Sequence, residues 1–379
     1  MSSPVDIENV EFSAAANRKV YVNETSIIPV GAAVCYDRTR STVGQRDHYC
    51  SKPSLTNDLE LAGVVTSQGK QQSVGPHQMD IVSLETLTRG VQVLTDENVA
   101  VGDFLSPVPG TWYWGKAVRG RPVFRCTEAF DGTTTPGLVK GDFGYQVIQD
   151  AEQSGKIVRV FDHFAGAQGM GISGTADATK FVLTGTSATA IYSDSFGPEK
   201  SASAQGNGVL TITTNTTNIA NLSLNGEPFR LDTGKSAFFR ARAAVDVITA
   251  DSDIFFGLHI TDVSYWAGNA DQVGVRIVDG AVQVVMQKST SGLVTIATGV
   301  SVAAGDFVEV AILARNRAAA VGKKDLLIWV NGTQISYTNN DTDRAEFPDT
   351  ESLTFIAEAS GSAARALSLD FVEVGNYVG

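Results

Sequence analysis

Between residues 239 and 371 the chain repeats one pattern, an apolar side chain at every second position. Phe239, Ala241, Ala243, Val245 and Val247 alternate with residues that include Arg240, Arg242 and Asp246. Ile254, Phe256, Leu258 and Ile260 continue the pattern, and Val273, Val275 and Ile277 lead into Asp279-Gly280, with Val282, Val284 and Met286 returning. Val308, Val310 and Ile312 form another run. Leu326, Ile328 and Val330 end at Asn331-Gly332, and Phe355, Ala357 and Ala359 precede Leu367, Leu369 and Phe371. A period of two puts successive side chains on opposite faces of a strand. Asp-Gly and Asn-Gly are the residue pairs that close tight hairpins. Strands with one apolar face hide it by packing two sheets together, so the pattern predicts a β-sandwich or jelly roll.

The preceding residues predict a second, smaller β domain. Residues 26–34 and 61–65 read as strands, and 91–94 and 99–101 as a hairpin around Thr95-Asp96-Glu97-Asn98. Lys156 to Phe161 reads as a closing strand, and Met79 to Thr88 as a short helix. Gly-Asp-Phe at 102–104, 141–143 and 305–307 reads each time as a turn that starts a strand. The fold class expected is therefore all-β: a small N-terminal barrel or sandwich over residues 1–165, a Gly/Thr/Ala-rich linker or exposed loop over 166–190, and a jelly-roll sandwich over 191–379.

Composition narrows the function. The formal net charge of −12 repels phosphate backbones, which argues against nucleic-acid binding. No apolar stretch is long enough to span a bilayer, and the N-terminus reads as no signal peptide. Three scattered cysteines, Cys35, Cys50 and Cys126, make no disulfide framework and read as reduced thiols; one Cys35–Cys50 bridge stays open.

Two resemblances follow from particular segments. The stretches from Asp306 (DFVEVAILARN), Leu326 (LLIWVNGTQIS) and Leu367 (LSLDFVEVG) resemble the concanavalin A-like or laminin-G-like jelly roll. That fold hosts lectins, hydrolases and structural modules. The stretches from Ser26 (SIIPVGAAVCYD), Leu61 (LAGVVTSQG) and Val91 (VQVLTDENVAVGDFLSPV) resemble the barrel of tailed-phage capsid cement, or decoration, proteins. This second resemblance implies a virion protein made in the host cytoplasm, with a major capsid protein and its own homotrimer as partners.

Motifs for chemistry are sparse. Gly171-Ile172-Ser173-Gly174-Thr175 departs from a nucleophile elbow at its last residue. Cys35, His48 and Cys50 lack the close spacing of a zinc site. Asp370 and Glu373, three apart on a strand, fall on opposite faces and make no acid pair. Asp251 and Asp253 sit in an expected turn, and His259 reads as an outward residue of its strand. Asp341 and Asp343, beside Asn339 and Asn340, are the calcium candidates, although a solvated polar loop is the favoured reading because no full ligand loop is visible. Trp112, Tyr113 and Trp114, and on the sandwich Tyr265 and Trp266, are the candidate contact anchors. The expectation is a non-enzymatic, cofactor-free structural protein that binds and stabilises an assembled capsid, with the lectin-like domain projecting outward. The alternative is a carbohydrate-binding module for glycan adhesion.

Overall fold

The computed structural model describes residues 17–377 except 23, 25–26, 40–47, 68–75, 85–86, 120, 133–134, 163–171, 174–180, 185–188, 194–208, 215–218, 249–251, 262–269, 290, 318–323, 336–345 and 362–364. The chain separates into two compact units, the first essentially Met1–Ile157 and the second beginning at Val158. Strands dominate both. Among the described residues no helix is long and apolar enough to cross a membrane.

The first unit holds two closed five-stranded barrels where the sequence predicts one small barrel. β1 (Asn17–Val22), β2 (Ala33–Tyr36), β3 (Tyr49–Ser51), β4 (Leu61–Ser67) and β5 (His77–Ser83) form one, in the order β1-β3-β2-β4-β5. β6 (Thr88–Thr95), β7 (Phe104–Pro107), β8 (Trp114–Lys116), β9 (Phe124–Cys126) and β10 (Gly137–Phe143) form the other. Val20, Val34, Cys50, Met79 and Ile81 fill the first barrel. A second cluster combines Cys35, Val64 and Leu84 of the first barrel with Val93, Trp114 and Phe143 of the second. The two barrels therefore share apolar surface, which is why β4 is buried along five consecutive residues, Leu61 to Val65.

Gly31 stitches the barrels together. Its carbonyl accepts from the Leu94 N–H at 2.9 Å and from the Trp114 indole N–H at 3.1 Å. Its own N–H donates to the Val65 carbonyl at 2.8 Å. Its φ of +82° lies in the left-handed region, and a Cβ there would stand 2.7 Å from the Leu94 nitrogen. Only glycine meets both demands.

Three local expectations need correction. Met79 to Thr88 is no helix: β5 pairs with β1 and β4, and Met79 and Ile81 point into the barrel. The helix of this unit is α1 (Gln146–Gln153), held by Val147 and Ala151, one turn apart on its buried side. Residues 91–94 and 99–101 do not pair with each other; β6 pairs with β10 and β8, and Val99 bridges to Phe130. The buried Glu97 redirects the chain there, accepting the Lys116 N–H at 2.9 Å. Of the three Gly-Asp-Phe triplets, those at 102 and 305 are turns with left-handed glycines, whereas Gly141 lies inside β10 at its bulge.

The second unit is the jelly-roll sandwich. One sheet runs β14 (Thr189–Ser193), β15 (Val209–Thr214), β26 (Arg365–Tyr377), β17 (Ser236–Val245), β22 (Phe307–Asn316), β23 (Lys324–Val330) and β24 (Thr333–Ile335). β11 (Ile157–Asp162), expected to close the N-terminal domain, pairs with β26 of this sheet instead. The other sheet runs β12 (Ile172–Ser173), β13 (Phe181–Thr184), β16 (Ala220–Leu224), β25 (Thr354–Gly361), β18 (Ser252–His259), β19 (Gln272–Val278), β20 (Ala281–Gln287) and β21 (Val294–Ser301). β12, β13 and the start of β14 lie within 166–190, so that stretch contributes strands to both sheets. Both predicted hairpins form, with Asp279 and Asn331 at φ of 48° and 49° before their glycines. The predicted apolar positions of β17, β18, β19, β20, β22 and β23 all enter one core.

We expect Gly31→Ala to destabilise the first unit by about 3 kcal/mol, combining left-handed strain with overpacking. Gly90, at φ +70° with open space around it, should cost only about 1 kcal/mol as alanine. Urea unfolding of the two variants, followed by tryptophan fluorescence, measures the difference.

Candidate functional site

Strands that give alternate residues to a core present the remaining residues on the opposite face. On the eight-stranded sheet of β12 to β21 that face is unusually polar. Strand pairing arranges it in three rows. The first aligns Thr354, His259, Gln272 and Gln287 across β25, β18, β19 and β20. The second aligns Ser223, Ile356, Gly257, Gly274 and Val285 across β16 to β20. The third aligns Asn221, Glu358, Phe255, Arg276 and Gln283 across the same strands.

The middle row is the floor. Gly257 and Gly274 face each other, and a Cβ on Gly257 would collide with the Gly274 Cα. The Phe255 ring lies across Gly274, 2.6 Å from where its Cβ would be. Phe255 groups with Val285 and Ile356 in a small apolar cluster separate from the main core. Its ring also meets His259 edge-on, with centroids 5.8 Å apart. The middle layer is thus apolar, aromatic and buried, with polar rows on both sides.

Those polar rows are held by specific bonds. Asn221 Nδ2 donates to Glu358 Oε2 at 3.0 Å. Gln272 Nε2 donates to Gln287 Oε1 at 2.8 Å, and Gln287 Nε2 donates to the Ser291 carbonyl at 3.1 Å. His259 Nδ1 lies 2.8 Å from the Ile260 carbonyl, which makes that nitrogen the donor in the neutral ring. Glu358 and His259 are fully buried, whereas Arg276 and Gln283 are half-buried. Glu358 and Arg276 flank Phe255 two strand spacings apart, about 10 Å along the sheet. His259 does face away from the core, as its parity requires, but it is not the solvated residue expected.

A clasp closes the end of the first row. Asp271, directly before Gln272, accepts the N–H groups of Ser289, Thr350 and Glu351 at 2.7–2.9 Å. Asp349 binds Lys288 at 2.7 Å and Lys324 at 2.8 Å. Burial pushes the Asp349 carboxyl up, but the two lysines outweigh it and hold its pKa below the ordinary carboxylate value.

The residues singled out from sequence fare differently. Trp114 is buried on β8, while Trp112 and Tyr113 are half-buried, with the Lys52 ammonium 5.9 Å from the Trp112 ring. Asp341, Asp343, Tyr265, Trp266 and Asp251 lie outside the described residues. All three cysteines are free. Cys50 faces the barrel core and Cys35 the shared cluster, and Cys35 pairs with Ser51 rather than with Cys50. Burial pushes the Cys50 and Cys126 thiols up to about 12, and Cys35 well above its usual value. With His48 exposed, these residues make no zinc site, which needs thiolates converging on one point. Among the described residues no group of three or more His, Cys, Asp and Glu is arranged to hold a metal ion.

Asp370 and Glu373 also need correction. A bulge opposite Arg242/Ala243 inserts one residue into β26, so both acids reach the face away from the core. There Asp370 binds Arg242 at 2.7 Å, and Glu373 lies 3.9 Å from Arg240, which also binds Glu309 at 2.9 Å. Each carboxylate is matched to a guanidinium, which is the arrangement of a surface ion-pair lattice.

No protein-family model matches the chain, and no curated protein sequence does. Solved structures resemble the sandwich. The endo-1,3-β-glucanase of Streptomyces sioyaensis is 13% identical, over 59% of this chain and 98% of its own, with a TM-score of 0.38. The endo-β-1,4-glucuronan lyase of Trichoderma reesei is 12% identical, over 50% of this chain and 87% of its own, also at 0.38. Peanut lectin is 15% identical, over 50% of this chain and 98% of its own, at 0.33. The structural neighbours are thus lectin-like sandwiches that bind or act on carbohydrate, and at this distance the likeness is one of fold. The expectation of a non-enzyme is withdrawn, because solved structures of this fold include glycan-degrading enzymes and the fold by itself does not exclude activity. A site spread over a sheet face draws residues from distant strands, so a missing linear motif carries no weight against catalysis. The capsid partner and the homotrimer expected from the N-terminal resemblance draw no support from these comparisons.

The polar rows escaped the sequence reading because each strand contributes one or two residues. The signal was there, in the off-parity positions of FIAEAS, QVGVRIV and VQVVMQ. Asp349 gives a direct test of the clasp. Its folded-state pKa is lowered, so its stabilisation is full above the ordinary carboxylate range and fades as pH falls through the lowered value. Asp349→Asn should cost about 1 kcal/mol at pH 7. The deficit should shrink below about pH 4, in thermal melts recorded across pH.

Proposed function

We propose that the sandwich recognises a glycan along the outer face of the eight-stranded sheet. The observation that carries this is the three-row lattice: a buried apolar layer of Phe255, Ile356 and Val285, bordered by amide, carboxylate, imidazole and guanidinium groups, with Arg276 and Gln283 at its accessible edge. Sugar rings present just this mixture, apolar C–H faces edged with hydroxyls that both donate and accept. A sheet face meant only to pack would favour apolar side chains, since buried polar groups are costly unless bonded. Instead Gln272, Gln287, Asn221 and Glu358 are buried and oriented by one another. Such a preorganised set loses little freedom when it meets a ligand.

Arg276 and Gln283, half-buried on adjacent strands, are the members that reach the ligand first. The deeper residues complete the polar rim behind them. Glu358, beside Asn221, and His259 are the acid–base groups of this face, both fully buried behind Arg276 and Gln283. The carbohydrate-directed sandwiches among the structural neighbours agree with this reading at the level of fold.

A glycan array that includes β-glucans, polyuronates and host-type oligosaccharides tests it, followed by calorimetry on each hit. Arg276→Ala should weaken binding of a hit at least tenfold, about 1.4 kcal/mol, with the thermal midpoint little changed. Glu358→Gln should keep the fold, and incubation of hits with both proteins reports any cleavage that depends on the carboxylate. Silence across the array at high protein concentration, or hits indifferent to Arg276→Ala, would overturn the proposal.

A further inference from the structure

We infer that the first unit carries a second and independent binding site, a cleft for a small organic carboxylate. The cleft lies where the two barrels meet and encloses about 220 Å³. Leu61 and Leu84 of one barrel and Pro107 and Val123 of the other contribute apolar side chains to a cleft whose accessible lining is mostly polar. Tyr145, about half exposed at the start of α1, and Tyr36 bring aromatic rings to its wall. The volume falls below the roughly 300–1,000 Å³ of drug-sized sites, which limits the occupant to about one ring.

Charge selects the occupant's sign. Four charged side chains line the cleft: Arg38, Asp58, Glu60 and Arg121. Glu60 is taken by Arg38, whose Nε and Nη2 donate to its Oε2 at 3.2 and 3.0 Å. Asp58 is taken by the buried Arg119 just behind the wall. Arg38 also stacks over the Tyr36 ring, 5.0 Å from its centroid, and the Tyr36 hydroxyl accepts from Arg18 at 2.9 Å. Both carboxylates and Arg38 are therefore committed to partners of the same unit. Arg121 lines the cleft, is exposed and, among the described residues, makes no ion pair, which leaves its fork of donors for an occupant. A guanidinium beside tyrosine rings matches a planar carboxylate attached to a ring. The net charge of −12 disfavours polyanions, while a monoanion with an apolar body can both meet the tyrosine rings and form one charge-assisted pair.

The test is a matched set of single-ring probes, benzoate, benzamide and benzylamine, titrated into the full-length protein and followed by ligand-observed NMR. Benzoate should bind saturably, with the neutral amide at least tenfold weaker and the amine weaker still. Arg121→Gln should abolish the preference for benzoate over benzamide. Because Arg121 is exposed, that variant should melt like the parent protein, and Tyr145→Ala supplies a second variant, expected to weaken all three probes together. Absence of benzoate binding, equal binding of acid and amide, or a preference that survives Arg121→Gln would overturn the site. None of these outcomes depends on the glycan face, which belongs to the other unit.

Discussion

A strand with one face in a sandwich core has no freedom over which residues appear on its other face. In β18, β19 and β25 the apolar parity is fixed by Phe256, Val275, Ala357 and their neighbours in the core. A slip of one residue would strip Glu358 and His259 of their polar partners and carry the half-buried Arg276 into the core, a cost that outweighs any packing the new register could offer. The core thus locks the register, and the register aligns the polar rows. The facing pair Gly257 and Gly274 adds the second constraint, since a side chain at either would displace the neighbouring strand or the Phe255 ring. Floor and rim are both consequences of packing on the hidden side.

The first unit solves a different problem. Small barrels bury little surface alone, and these two share a cluster that neither could complete. The Gly31 carbonyl, accepting from a backbone amide and an indole at once, fixes the seam. The cleft is a by-product of the same seam, formed where curved walls diverge and ion pairs line the gap.

Much of this was legible in the sequence, and what was not has physical causes. Alternation from Phe239 onward and the Asp279-Gly280 and Asn331-Gly332 turns led directly to the sandwich, because long ladders with one apolar face allow few other arrangements. The barrels were harder. β3, β8 and β9 have three residues each, too short to show a period, and Met79 to Ser83 reads equally as helix or strand until β1 is placed beside it. The bulge in β26 reversed the assignment of Asp370 and Glu373, since one inserted residue is invisible without the partner strand. The polar face was overlooked because its members are separated by more than a hundred residues, Asn221 meeting Glu358 across the β16–β25 ladder. Linear motifs report chemistry built on a loop or one helix; they say little of chemistry spread over a sheet.

The most direct measurement is a crystal structure of the protein soaked with an oligosaccharide identified by binding. A sugar ring should be seated on the outer face of the eight-stranded sheet, against Arg276 and Gln283 and along the rows that hold Glu358 and Gln272. A sugar bound instead on the opposite sheet, beside Arg240 and Asp370, or only in the N-terminal unit, would contradict glycan recognition by this face.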